Sequence, residues 1–197
     1  MTGARIELRD VLNFFEYEKV RNERRQQVME LKRTRRVAVG RHLSFLFENR
    51  DTVLFQIQEM CRVERITDDT RIQDEIDVYA GLLPGPGELS ATMMIEIEDK
   101  EKIQPVLDAF LGIDLGQNVW MQVGKEFVIP GNFEVGHSDQ ERGKLSAVHF
   151  VRFEFPEAAV RAFRNAPVFL VVDHAGERAR AELSPETKAA LLRDLEG

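Results

Sequence analysis

The sequence predicts an α+β fold in which a helical N-terminal half packs on a mainly antiparallel sheet in the C-terminal half. Three observations carry this. Apolar residues recur at spacings of three and four between Phe14 and Arg33, and again from Asp51 onward. Beyond residue 90 the dominant period is two, as half-buried strands require. Between the regimes lies PGPGELS, from Pro84, whose Pro and Gly residues continue neither pattern. The chain thus divides into a helix-rich region 1–83, with a strand or hairpin near 36–47, and a β-rich region 88–197, together forming one compact unit.

The elements follow in order. Tyr17, Val20, Arg24, Val28 and Leu31 form one stripe of a first helix, with Arg24 a charged intruder in it. Val37, Val39, Leu43, Phe45 and Phe47 then occupy alternate positions, and Gly40 permits a turn between them. The residues NRDT supply capping chemistry for a second helix, from about Asp51 to Ile66. A third helix starts near Asp69 or Thr70 and ends before Pro84. Met93, Ile95 and Ile97 alternate with Met94, Glu96 and Glu98 in a strand, and 100–111 reads as helical. Strands are predicted at Val119–Val123, Glu126–Ile129, Ser146–Phe155, Val168–Val172 and Ala179–Leu183. Pro156 opens a short helix to Asn165, and Pro185 opens a terminal one. With 125–144 set aside as an insertion, the order from 91 to 172 is β-α-β-β-α-β, which permits a ferredoxin-like, split βαβ sheet.

A chain of 197 residues, 43% hydrophobic and 31% charged, is long enough for one full core. Cys61 is the single cysteine, so neither an intrachain disulfide nor a cysteine metal cluster can form, and a reducing cytoplasm is the expected compartment. The opening MTGARIELRD is charged where an export signal needs an apolar run, and VFLVV, from Val168, is too short to span a bilayer. The net charge of −7 is uneven: residues 1–50 carry 12 Lys and Arg against 7 Asp and Glu, a net of +5, leaving −12 for the remainder. Arg21, Arg25, Lys32 and Arg36 follow helical spacing, but Glu16, Glu18, Glu23 and Glu30 dilute them, which argues against a nucleic-acid partner.

Two polar clusters are candidate sites. In FLFENRDTVLFQIQEMCRVER, from Phe45, charged and apolar residues interleave closely. Glu64 falls on the apolar face of the second helix, where a lone carboxylate is costly to bury, so an ion pair with Arg24 is expected. Glu48, Asn49, Arg50, Gln56, Glu59 and Arg62 gather at a strand end and along the helix after it, a place where backbone N–H groups and the helix dipole attract polar ligands. A bidentate grip by Arg50 on a carboxylate or phosphate fits this reading, although Asn49, Asp51 and Thr52 are also ordinary capping residues. A concave site joining Arg50, Gln56 and Glu59 to the C-terminal sheet is the expectation. The second cluster is EVGHSDQER with His149 downstream, in which His137, Asp139, Glu141 and His149 offer ligand atoms for a divalent metal. A solvated loop and a hydrogen-bonded core histidine explain the same residues. No phosphate loop, G-x-S-x-G elbow or H-E-x-x-H motif occurs.

The runs FENRDTVLFQIQEMCRVER, YEKVRNERR, RIQDEIDVYAGLLP, ATMMIEI and GHSDQERGKLSAVHFVRF resemble an uncharacterised bacterial family, domain-of-unknown-function family 3501, over nearly the whole chain. Its pattern falls here on Glu48, Asn49, Arg50, Thr52, Gln56, Gln58, Glu59, Arg62, Glu64 and Arg65, and on Tyr17, Arg21, Gly136, His137, Arg142 and His149 outside that stretch. Cys61 departs from the aliphatic residue the family leads one to expect, which weakens a redox role for the thiol. The resemblance implies genomic association with rubrerythrin-like and iron–sulfur heterodisulfide-reductase-like proteins, hence a redox-protein partner.

Three functional readings follow. The first is a non-catalytic accessory protein that binds a ligand or partner and is linked to peroxide or thiol redox metabolism. The second is a metal-assisted enzyme using His137, His149, Glu48 and Glu59. The third makes the polar cluster a structural core and places an interaction function elsewhere.

Overall fold

The computed structural model describes residues 5–134, 136, 138–139 (by their backbone) and 144–197. Its first long element, α1 (Phe14–Arg33), starts where the Asn13 side chain accepts the Glu16 N–H and spans the predicted range. β1 (Arg36–Val39) and β2 (Leu43–Phe47) form the hairpin, turned through Gly40 at φ +69°. α2 (Arg50–Val63) begins in a capping box between Asn49 and Thr52. In α3 (Asp69–Ala80) the Asp68 carboxylate accepts the first free N–H groups.

The architecture differs from the predicted one. The chain from β3 (Glu88–Ile95) onward does not build a separate ferredoxin-like sheet under a helical half. Instead β3 pairs with β2, so the hairpin of the N-terminal region and the strands of the C-terminal region share one sheet of eight antiparallel strands. The remaining members are β4 (Val119–Val123), β5 (Phe127–Phe133), β8 (Val148–Glu154), β9 (Val168–His174) and β10 (Glu177–Glu182), in the order β1-β2-β3-β8-β5-β4-β9-β10. A two-stranded ribbon, β6 (Ser138–Asp139) with β7 (Lys144–Leu145), stands apart.

The sheet curls into a nearly closed barrel. β5 does much of the curling: its first half pairs with β4 (Trp120 opposite Pro130) and its second with β8 (Gly131 opposite Phe153). At Gly131 a Cβ would sit 2.8 Å from Val151 Cγ2 and 3.1 Å from the Val119 carbonyl, so only glycine lets the neighbouring strands approach there. The strand predicted to stop at Ile129 runs on through Pro130–Gly131 to Phe133, and it is a central strand that the ferredoxin-like order, with 125–144 set aside, lacks.

The free edges, β1 and β10, form no ladder but meet at their ends, where the Glu177 carboxylate accepts the Arg41 N–H at 2.9 Å. Gly40 takes a left-handed φ, and a Cβ there would lie 2.4 Å from Glu177 Cδ, so a larger residue would displace the carboxylate that bonds the Arg41 N–H. Inside the barrel, Phe45, Met93, Met121, Val151, Phe153 and Leu170 form the core. Phe110, after α4 (Ile103–Ala109), closes one end, while Ala159 and Phe163 of α5 (Glu157–Phe163) and Leu191 of α6 (Pro185–Glu196) close the other.

α2 and α3 pack outside the barrel and hold a second core of Ile6, Val53, Ile57, Cys61, Ile72 and Ile76, against which Phe150 of β8 packs. Among the described residues no helix is long and apolar enough to cross a membrane.

Candidate functional site

α1 lies antiparallel on α2, outermost in the fold. The contact is fastened at one end by a polar network: Tyr17 donates its hydroxyl to Glu59 at 2.7 Å, and Arg21 grips the same carboxylate with two N–H groups at 2.8 and 2.9 Å. Arg62 links the two helices again, 3.3 Å from Glu18 and 3.7 Å from Glu59. The paired guanidinium of Arg21 holds the Glu59 carboxyl below the usual carboxylate range, against the opposing effect of burial. Burial and the neighbouring Glu59 push the Tyr17 phenol upward, so it stays a donor.

Residues before α1 form a strap over α2. Ile6 is buried in the second core, Asp10 meets Arg50 at 2.7 Å, and the Gln58 amide both accepts from Leu12 N–H and donates to Leu12 C=O, each at 2.8 Å. Gln58 thus pairs with the strap as a backbone amide would. Between the strap, α1 and α2 remains a cleft of about 370 Å³. Val28, Leu31, Leu54 and Phe55 supply its apolar walls, and Asp10, Arg24, Gln27 and Asp51 its polar positions.

The predicted ligand residues are dispersed. Glu48 is only 2% exposed and accepts the hydroxyls of Thr52 (2.5 Å) and Thr92 (2.7 Å), so its carboxylate is engaged inside the fold beside the positive end of α2. Asn49 caps α2, Arg50 ties down the strap, and Glu59 and Arg62 join the helices. Gln56 is half-buried on α2 and makes no side-chain hydrogen bond among the described residues. Among the described residues no concave site unites Arg50, Gln56 and Glu59 with the C-terminal sheet: the partners of Arg50 and Glu59 lie in the strap and α1.

Glu64 also departs from expectation. As the C-cap of α2 it is 48% exposed and faces Arg71 at 4.0 Å, whereas Arg24 is exposed on the cleft wall. The Glu64 N–H still bonds the Met60 carbonyl, so its side chain keeps the helical position, facing α3 at the exposed end of α2, while α1 packs along the stripe of Phe55, Glu59 and Arg62.

Of the metal candidates, His137 and Glu141 lie outside the described residues, as does the side chain of Asp139. His149 is fully buried in the barrel, with Nε2 2.8 Å from the Ser146 carbonyl and Nδ1 3.9 Å from Asp114. Among the described residues no three His, Cys, Asp or Glu side chains are grouped as a metal site. Cys61 is buried against α3, and that burial raises its thiol above the ordinary range.

The buried charge that sequence reasoning missed is Arg35. It is 2% exposed, donates to the carbonyls of Phe47 (2.8 Å) and Glu48 (3.2 Å) and pairs with Asp194 of α6. The cleft residues Asp51, Leu54 and Phe55 were also missed as site residues; their signal was the apolar stripe of α1 that contains Arg24.

Fold and site together define a class: a nearly closed antiparallel barrel with an outer helical layer whose outermost helix stands over a mixed polar and apolar cleft. The chain belongs to the family described as a protein of unknown function, DUF3501, whose profile matches residues 5–195. Among solved structures it is similar to a novel protein of unknown function from Burkholderia pseudomallei K96243, determined at 1.90 Å. That similarity has a TM-score of 0.89 and 32% identity over 96% of this chain and 98% of the other. No curated protein matches it.

Proposed function

We propose that this is a non-catalytic binding protein whose site is the cleft between α1 and α2. The observation that supports it is the packing of α1: a helix of 20 residues in which Tyr17 and Val28 are the buried ones, joined to α2 by a polar network at one end and standing off it along the cleft. Exposed helices gain most of their stability from packing an apolar face, so a helix held this way leaves apolar wall for an occupant. The cleft volume of 370 Å³ falls in the range of small-molecule sites.

A metal-assisted enzyme is the less supported reading, because Glu48 and Glu59 are engaged by hydroxyls and a guanidinium and His149 is sealed in the barrel. The accessory role in peroxide or thiol redox metabolism that the family resemblance implies belongs to the same proposal. In it a rubrerythrin-like or iron–sulfur partner carries the redox chemistry, since Cys61 is buried. Titration with the apolar dye Nile red tests the site. Saturable emission in the wild type that is lost in Leu54→Trp, which fills the cleft, is expected; equal emission from both proteins, or none from either, contradicts the proposal.

A further inference from the structure

The charges of the cleft are sorted by position. Asp10 and Asp51 flank the N-terminal turn of α2, while Arg24 projects from α1. Asp10 is already matched: Arg50 lies 2.7 Å away, and the Glu7 N–H donates to it. Arg24 and Asp51 are both exposed, and among the described residues neither forms an ion pair or a side-chain hydrogen bond. They are the uncommitted charges of an otherwise apolar or internally bonded lining.

Their separation follows from the antiparallel packing. Glu18 of α1 reaches Arg62 of α2, and Lys32 lies over Phe55, 5.7 Å from the ring centre. Arg24 falls between these positions on α1 and therefore stands about two turns along α2 from Asp51, roughly 10–12 Å at 1.5 Å per residue, of which a charge-assisted contact of about 2.8 Å at each end takes up about half. Val28, Leu54 and Phe55 line the interval. A simple anion is disfavoured by the carboxylates at one end, and a simple cation by the guanidinium at the other. A molecule carrying both charges, separated by an apolar stretch, satisfies both ends. An extended chain advances about 3.3–3.6 Å per residue, so two or three residues bridge the interval.

We propose that the cleft binds a di- or tripeptide with apolar side chains, its terminal carboxylate on Arg24, its terminal ammonium on Asp51 and its side chains against Val28, Leu54 and Phe55. This rests on the reading that the cleft is the binding site.

The test is calorimetric titration of the full chain with dileucine, N-acetyl-dileucine, dileucine amide and decanoate, beside Nile red titrations of the same preparations. Dileucine is expected to bind, and capping either end is expected to weaken it by about tenfold or more, the loss of one charge-assisted contact. Arg24→Gln should weaken free dileucine but leave the amide unaffected, and Asp51→Asn should do the same for the acetylated form. Both replaced side chains are exposed, so the variants are expected to fold, and their unfolding curves verify it. Equal binding of capped and free peptides overturns the proposal in favour of a groove for an internal protein segment. Decanoate binding as well as dileucine overturns it in favour of an anion site. Nile red binding that is lost in Leu54→Trp, with no binding of any peptide, overturns the peptide assignment and leaves the cleft reading standing. If neither peptide nor dye binds, both fall.

Discussion

Replacing Arg35 by Met removes the most deeply buried cation in the fold while keeping most of its apolar volume. The wild-type guanidinium satisfies the carbonyls of Phe47 and Glu48 at the β2–α2 junction and neutralises Asp194 on α6. Each buried acceptor left without a donor costs about 1–3 kcal/mol. The orphaned Asp194 adds less than a fully buried charge, because 17% of its side chain is exposed and it can draw in water or a proton. The expected loss is about 3–5 kcal/mol, or roughly 6–20 °C in Tm for a chain of this size. Urea unfolding followed by circular dichroism measures it. Adding Asp194→Leu should recover part of the loss, since an apolar pair is tolerated where half of an ion pair is not. A loss below ~1 kcal/mol for Arg35→Met, within the range of ordinary surface substitutions, would refute the assignment of Arg35 as the junction's buried tie.

Four further outcomes are expected. Thr92→Val leaves the enclosed Glu48 carboxylate with Thr52 as its remaining hydroxyl donor and should cost about 1–3 kcal/mol in the same unfolding assay. The Glu59 carboxyl is lowered in the folded state, so its contribution is present above the unfolded value and lost as pH falls through the folded one; Glu59→Gln should flatten the acid side of a Tm-versus-pH curve. Asp194 behaves oppositely: burial raises its folded value, so its protonated form stabilises at low pH and that stability disappears as pH rises from about 3.8 through the raised value, a slope that Asp194→Asn should remove. Gly40→Ala places a Cβ against Glu177 at a left-handed φ and should lower stability by about 1–2 kcal/mol, and Glu177→Ala should relieve the steric share but not the backbone share.

Local structure was legible where one pattern dominated. α1 spans the predicted residues, and the cap at Asn49 acts through the side-chain chemistry predicted for NRDT. The global arrangement was not, because hydrophobic period reports which face of a strand is buried and not which strand lies beside it. Val37, Phe45, Met93 and Val151 read alike, yet only the fold shows that β2 of the N-terminal region is neighbour to β3 and that β8 follows. The strand predicted at Glu126–Ile129 is longer for a physical reason: Pro130–Gly131, residues that usually end a strand, here let one strand bend between two partners. The opening polar stretch was recognised as unusual, and much of it is enclosed or paired, but the partners are distant in sequence. Glu59 meets residues on α1, Glu48 meets Thr92 on β3, and Arg50 meets Asp10. Periodicity places Arg24 on a stripe and invites pairing with Glu64; α1 packs instead on the stripe of α2 that carries Glu59 and Arg62, Glu64 faces α3, and Arg24 lines the cleft.

On the proposed reading, the cleft between α1 and α2 is the binding site. The most direct test maps binding residue by residue: amide and methyl chemical-shift changes of isotopically labelled protein on titration with a library of apolar fragments and short peptides. Saturable shifts are expected to concentrate at Val28, Leu31, Leu54 and Phe55 and to weaken in Leu54→Trp. Saturable shifts centred on another surface, with these four residues unmoved, would contradict it.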